Sequence, residues 1–165
     1  MAVVVVMGVA GAGKSTVGTA LARRLGVAYA EADAFHPPAN IAKMTSGVPL
    51  DDADRAPWLT AIASWITAHD EAGGVVSCSA LKYRYRDVLR AGGDVWFLHL
   101  HGTRPLLAAR IGGRSGHFMP PSLLDSQLAD LDPLRPGECG WTADVGAPPD
   151  DLVEAAFTAY RKDNP

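Results

Sequence analysis

Short runs of apolar residues alternate along this chain with longer stretches in which apolar and polar positions recur at helical spacing. The short runs are typical of strands buried in a parallel sheet, and the amphipathic stretches are typical of the helices that cover it. The pattern therefore predicts an α/β fold. The predicted strands span residues 3–7, 27–30, 75–79, 95–100 and 142–145. The predicted helices span residues 14–25, 38–46, 82–90, 104–111, 120–131 and 149–160, and one more begins in the acidic run 51–54.

The composition narrows the class of protein. With 165 residues, 48% of them hydrophobic and 20% charged, the chain is typical of one soluble globular domain. No internal repeat or linker divides it, so we expect a single domain over 1–165. The net charge of −3 does not indicate the excess of basic residues that is typical of nucleic-acid-binding domains. No apolar stretch reaches transmembrane length, and no basic leader precedes the first apolar run. We therefore expect a cytoplasmic protein with neither nucleic acid nor membrane as a partner.

The chain contains two cysteines, Cys78 and Cys139. Their spacing suits neither a zinc ribbon nor a disulfide framework. We expect buried or semi-buried thiols in a reducing compartment, with Cys78 packed as a small hydrophobic side chain.

The most specific motif follows the first predicted strand. Residues 8–15 read GVAGAGKS and match the P-loop pattern G-x-x-x-x-G-K-[ST] between an apolar strand and a helix. Glycines in such a loop allow close approach to phosphates, and successive backbone N–H groups form an anion nest at the helix N-terminus. The Lys14 side chain would reach the β- and γ-phosphates, and the Ser15 hydroxyl would ligate Mg²⁺. The residues predicted to bind ATP are Gly11, Ala12, Gly13, Lys14, Ser15 and Thr16.

Phosphoryl transfer also needs an acceptor held in line with the γ-phosphate. Asp33 follows the second predicted strand, at the sheet edge where such folds place ligands. Its carboxylate could accept the proton of an acceptor hydroxyl and orient the oxygen, although an Asx-turn or helix cap is the alternative. Glu31 could support Mg²⁺ through water or be a solvated loop carboxylate. No apolar run ends in an aspartate of Walker B type, so either Glu31 or Asp33 supports the metal, or water fills that position.

Several basic residues are candidates for binding an anionic acceptor or the transferring phosphate. Arginine suits a carboxylate because its planar fork bonds both oxygens, whereas a solvated surface cation is the alternative for each position. Glycines flank two of the candidates, so residues 112–121 are predicted to close as a lid that brings Arg114 to the γ-phosphate. His36 could hydrogen-bond a polyol or be satisfied by the backbone. The basic candidates are Arg55, Lys82, Arg86, Arg114 and His117.

Beyond the P-loop, consecutive segments resemble the gluconokinase family in order. They are HP at 36–37, NIAKMTSGVPL at 40–50, DADRAPWL at 52–59, CSALKYRYRD at 78–87, GHF at 116–118 and Gln127. The resemblance runs to about residue 135 and is far more specific than the P-loop alone.

The resemblance implies the small P-loop kinase fold shared with shikimate kinase, with a five-stranded parallel sheet in the order 2-3-1-4-5. It also implies Mg²⁺- and ATP-dependent phosphorylation of D-gluconate at its 6-hydroxyl, a reaction that feeds the pentose phosphate route, and a homodimer. Asp33 matches the acidic residue at the acceptor hydroxyl, Arg55 a contact to the substrate carboxylate, and Arg114 a lid arginine. Arg110 matches the arginine packed on the adenine, opposite the loop 146–149. His36, Lys82, Arg86, His117 and Gln127 complete the expected acceptor-binding set.

Two other functions stay open on sequence alone. A kinase for another small hydroxy acid, such as shikimate, would share the fold, but segments 40–50 and 78–82 disfavour it. A nucleotide-dependent switch would use the same P-loop, but the chain lacks segments that resemble guanine recognition.

Overall fold

The computed structural model describes residues 1–113 and 121–165. Five strands and seven α-helices alternate through the described residues, with a short 3₁₀ helix at Ala32–Phe35. The strands are β1 (Val3–Met7), β2 (Ala28–Glu31), β3 (Gly74–Ser77), β4 (Val95–His101) and β5 (Gly140–Asp144). The helices are α1 (Lys14–Leu25), α2 (Pro38–Thr45), α3 (Asp52–His69), α4 (Tyr83–Arg90), α5 (Arg104–Gly112), α6 (Pro121–Asp130) and α7 (Pro149–Asp163).

The five strands form one sheet in the order β2-β3-β1-β4-β5, and every neighbouring pair is parallel. The predicted α/β class and strand order are therefore confirmed. Strand β1 occupies the centre, with Val4 opposite Val75 on one side and opposite Trp96 on the other. All five of its side chains are buried because helices cover both faces of the sheet.

Alternation along β1 divides the core into two layers. Val4 and Val6 face the layer built with α1, α5 and α7. Val3, Val5 and Met7 face the layer built with α3 and α4, which contains Trp58 and Ile62. Across the described residues, no helix has both the length and the apolar content needed to span a membrane.

Local signals in the sequence fix two of the helix ends. Gly26 adopts the left-handed conformation (φ 72°) and ends α1, where its N–H donates to the Ala22 and Arg23 carbonyls. The Asp51 carboxylate accepts from the Asp54 N–H, and the Asp54 carboxylate accepts from the Asp51 N–H. This capping box starts α3 where the acidic run predicted a helix start.

Strand β5 begins two residues earlier than the apolar pattern predicts. Gly140 pairs with Phe97, and a Cβ at position 140 would lie 2.2 Å from the Phe97 carbonyl oxygen. A glycine is therefore required where the two backbones approach, and hydropathy does not signal such a residue as strand. The expectation for the cysteines is confirmed for Cys78, which is buried, and is wrong for Cys139, which is exposed.

Candidate active site

The P-loop connects the central strand β1 to α1 at the carboxyl edge of the sheet. Gly11 and Gly13 have φ of 80° and 89°, a region that glycine enters without strain. A Cβ on Gly11 would also lie 2.9 Å from Cγ1 of Ile111 on α5. The Lys14 ammonium donates to the Val9 carbonyl at 3.1 Å, within the same loop. The loop therefore has the backbone conformation of an anion-binding nest, and Lys14 is hydrogen-bonded within that loop.

A chain of hydroxyl and carboxylate groups lies beside the P-loop. The Ser15 hydroxyl donates to Oε1 of Glu31 at 2.7 Å, and the Tyr29 hydroxyl donates to Oε2 of the same carboxylate. The Ser77 hydroxyl donates to the Lys14 carbonyl at 2.9 Å and lies 2.9 Å from the Tyr29 phenol oxygen, whose single proton is used on Glu31. Burial, followed by the hydrogen bond to Glu31, raises the pKa of the Tyr29 phenol, so Tyr29 stays protonated and donates.

This arrangement distinguishes Glu31 from Asp33 as the candidate carboxylate for supporting a metal ion. Glu31 lies in direct contact with Ser15, so it and not Asp33 is the carboxylate beside the P-loop hydroxyl. Tyr29 and Ser77, which lie on two different strands, are not among the site residues predicted from the sequence. Their signal in the sequence is only a hydroxyl side chain within each strand.

A cleft of about 1090 Å³ opens next to the P-loop at the same edge of the sheet. Asp33, in the 3₁₀ helix after β2, is exposed and lines this cleft. The structure therefore brings Asp33 together with most of the predicted acceptor-binding residues. Those that line the cleft with it are His36, Arg55, Lys82 and Gln127.

His36 is held in place by stacking. Its ring lies parallel to the Trp58 indole, with centroids 4.6 Å apart and an interplanar angle of 7°. The Trp58 Nε1–H donates to the Ala32 carbonyl at 2.7 Å, which anchors the stack to the 3₁₀ helix. Burial lowers the pKa of the His36 imidazole, so it is neutral at pH 7 and can accept as well as donate a hydrogen bond.

Gln127 connects α6 to the P-loop. Its side-chain oxygen accepts the Ala10 backbone N–H at 2.8 Å, while the residue lines the cleft. The amide group that remains carries two N–H donors. Gln127 can therefore brace the phosphate loop and offer donors to a ligand in the cleft.

The structure corrects the prediction for Arg86, which does not bind in the cleft. Its guanidinium is fully buried and forms a bidentate pair with Glu138, at 2.7 and 2.9 Å. It also donates to four carbonyls, those of Ala80, Leu81, Asp132 and Pro133. All of these partners belong to the protein, so Arg86 fastens the segment before β5 to α4 instead of contacting an acceptor.

Glu138 gives this buried pair a pH dependence. Burial alone would raise the pKa of the carboxyl, but hydrogen bonds from Arg86, the Arg135 N–H and Arg90 lower it overall to about 2, from an ordinary value of 4.5. A depressed folded-state pKa stabilises the fold above the ordinary pKa, and this stabilisation is lost as pH falls toward 2.

We expect Glu138→Gln to lower the free energy of unfolding at pH 7 by about 2 kcal/mol, because a neutral amide replaces the charge facing buried Arg86. The variant should also lose much of the decline in stability between pH 4.5 and 2. Urea unfolding followed by tryptophan fluorescence at a series of pH values measures both effects. The matched control is Glu154→Gln, which breaks the exposed pair with Arg24 and should cost about 0.5 kcal/mol or less. Equal costs for the two variants would contradict the prediction.

The other predicted nucleotide and lid residues divide between two regions. Arg110 on α5 donates to the Val145 carbonyl at 2.5 Å, directly before the loop 146–149 expected to flank the adenine. Arg114 and His117, with most of the predicted lid 112–121, lie outside the described residues.

A P-loop beside a cleft that contains a carboxylate and several cations is typical of a small P-loop kinase. Consistent with that class, a family model described as shikimate kinase matches residues 10–120. Among relatives, the gluconokinase of Gluconobacter oxydans (strain 621H) is 54% identical over 132 residues, covering 78% of this chain and 74% of that protein. The thermoresistant gluconokinase of Escherichia coli (strain K12) is 36% identical over 162 residues, covering 96% of this chain and 93% of that one.

A solved structure agrees with these relatives. The crystal structure of a gluconokinase from Sinorhizobium meliloti 1021 matches with a TM-score of 0.89 and 45% identity, covering 98% of this chain and 92% of that one. The chain belongs to the gluconokinase family. Kinases of this family use ATP, in agreement with the P-loop.

Proposed function

We propose that this protein is a gluconokinase, which transfers the γ-phosphoryl group of ATP to the 6-hydroxyl of D-gluconate and releases 6-phosphogluconate and ADP. The observation that carries the proposal is the position of Asp33, in a cleft that also contains Arg55 and Lys82 and that opens beside the P-loop, in a chain of this family. A linear sugar acid fits such a cleft because it offers one carboxylate to cations and several hydroxyls to the polar walls. Binding energy from that remote carboxylate would position the terminal hydroxyl.

Each part of the transfer has a group to perform it. The P-loop amides and Lys14 bind the phosphates and stabilise the charge on the transferring group. The Asp33 carboxylate accepts a hydrogen bond from the 6-hydroxyl, orients its oxygen toward the γ-phosphorus and takes the proton as the new bond forms. Arg55 and Lys82 hold the substrate carboxylate, while His36 and Gln127 bind hydroxyls. Arg114 and His117 are proposed to contribute from the lid.

A magnesium ion fits the groups beside the P-loop. The Ser15 hydroxyl and the Glu31 carboxylate, 2.7 Å apart, are oxygen ligands of the kind Mg²⁺ takes, directly or through water. Among the described residues no group of three acidic, histidine or cysteine side chains could hold a metal. When bound with ATP, the ion would neutralise charge on the β- and γ-phosphates.

The adenine is proposed to lie between Arg110 and the loop 146–149. Arg110 donates a hydrogen bond to the Val145 carbonyl, directly before that loop, and its planar guanidinium is a group that can stack on an aromatic base. The homodimer expected from the family resemblance stays a prediction, and sedimentation equilibrium of the purified protein would test it.

ADP release by the purified protein with Mg·ATP tests the function. We expect strong stimulation by D-gluconate and little by shikimate, nucleoside monophosphates or no acceptor, with 6-phosphogluconate identified as the product. Stimulation by another acceptor alone would keep the kinase class and overturn the substrate. ADP release independent of any acceptor would instead support a nucleotide switch.

A further inference from the structure

Three cations surround the ring of Tyr85 in the acceptor cleft, but their charges are not equally available. Arg55, Lys82 and Arg84 lie 5.8, 5.7 and 5.3 Å from the ring centroid. Arg84 is paired with the Asp52 carboxylate at 2.5 Å, and Lys82 lies 4.0 Å from Asp130.

Arg55 differs from the other two cations. None of the ion pairs formed within residues 1–113 and 121–165 includes it. Its Nη1 donates instead to the Tyr85 phenol oxygen at 3.4 Å. Because the Tyr85 phenol is uncharged, this hydrogen bond does not neutralise the guanidinium, and its full positive charge can act on a ligand in the cleft.

The phenol of Tyr85 is itself fixed. Tyr85 on α4 is 7% exposed, and its hydroxyl donates to Oδ1 of Asp52 at 2.5 Å. Asp52 and Arg55 are three residues apart in the first turn of α3, so they present to Tyr85 from the same side of that helix. The phenol is therefore inserted between a carboxylate and a guanidinium that would otherwise face each other.

The protonation states of Asp52 and Tyr85 maintain this hydrogen-bonded arrangement. The hydrogen bond from Tyr85 lowers the pKa of the Asp52 carboxyl, so Asp52 is an acceptor at neutral pH. Burial raises the pKa of the Tyr85 phenol, which keeps its proton and donates it to Asp52. The lone pairs of the phenol oxygen then point toward Arg55.

We propose that Tyr85, held by Asp52, is a positioning residue that aims the Arg55 guanidinium at the carboxylate of the acceptor without neutralising it. The proposal rests on the function proposed above, in which that acceptor is a sugar acid. If Asp52 paired directly with Arg55, the substrate carboxylate would have to displace an ion pair. With a phenol between them, one Arg55 donor is fixed and the rest of its planar fork stays open to two carboxylate oxygens.

Steady-state kinetics of the Tyr85→Phe variant, with Arg55→Ala as a second change, tests the proposal. We expect Tyr85→Phe to raise KM for gluconate about fivefold to tenfold, the size of one ordinary hydrogen bond, since the bond to Arg55 is long at 3.4 Å. Its kcat and its KM for ATP should stay within about twofold of the parent, since the phenol contacts no reacting atom. Because Tyr85 acts through Arg55, adding Tyr85→Phe to Arg55→Ala should leave KM within about twofold of Arg55→Ala alone.

Two further variants make the result specific. Tyr83→Phe removes a phenol from the same helix, where Tyr83 stacks under Arg135 at 3.8 Å outside the cleft, and should leave KM for gluconate unchanged. Asp52→Asn, at an exposed position, should raise KM in the same direction as Tyr85→Phe, and it provides the test if Tyr85→Phe is poorly folded.

The outcomes separate this proposal from the function on which it rests. A parent enzyme that does not phosphorylate gluconate overturns the function before any variant is measured. A parent that does so, with an unchanged KM in Tyr85→Phe and Asp52→Asn, overturns the positioning role alone. So does a double variant whose KM increase is the product of the two single increases, because Tyr85 would then act independently of Arg55.

Discussion

Asp33→Asn is expected to lower kcat for gluconate phosphorylation by about 10²- to 10⁴-fold, the range measured for general bases. The amide keeps the size of the side chain and its hydrogen bond to the acceptor hydroxyl, but it cannot take the proton. KM for gluconate should therefore change less than kcat. Asp33 is exposed in the 3₁₀ helix at Ala32–Phe35, so the substitution should leave the melting temperature within a few degrees of the parent.

The control for this loss is Asp151→Asn, an exposed aspartate in the first turn of α7 and on none of the cleft walls. It should retain parental kcat and KM. A kcat for Asp33→Asn within tenfold of the parent would exclude Asp33 as the essential base and leave positioning by the other cleft residues as the source of the rate.

The fold was predictable wherever local signals agree. The run of apolar residues before the P-loop marks the central strand β1, which is buried on both faces, and Gly26 marks the end of α1. The order of the strands in the sheet could not be predicted from hydrophobic periodicity, because periodicity identifies the strands and helices but does not show which strands pair. It came from the family resemblance, and the pairing of β1 with both β3 and β4 bears it out.

Candidate site residues could be proposed from local sequence where they are contiguous. The P-loop is one segment, so its pattern specifies the whole phosphate nest. The cleft is assembled from separate helices. Two arginines of one of these helices have different environments. Arg84 reaches the cleft wall, whereas Arg86, two positions later on α4, is buried against Glu138. The partner lies 52 residues away, so no local pattern separates the two arginines.

Lys14→Met is expected to lower kcat by about 10²- to 10³-fold, comparable to removal of one preorganised donor from a developing negative charge. Methionine keeps the unbranched stem and the helix propensity needed at the first residue of α1, so the fold should persist. ADP release at saturating gluconate measures the effect. Lys162→Met, at an exposed position in the last turn of α7, should have parental activity.

Acceptor-independent ATP hydrolysis distinguishes the role of Lys14 from that of Asp33. In the proposed mechanism Lys14 binds the phosphates, so its loss should slow the residual transfer to water as well as the transfer to gluconate. Asp33 is proposed to act on the acceptor hydroxyl, so Asp33→Asn should reduce transfer to gluconate much more than the slow hydrolysis. If both variants reduced the two reactions by the same factor, Asp33 would belong with Lys14 at the phosphates, and the acceptor hydroxyl would need a different base from the cleft.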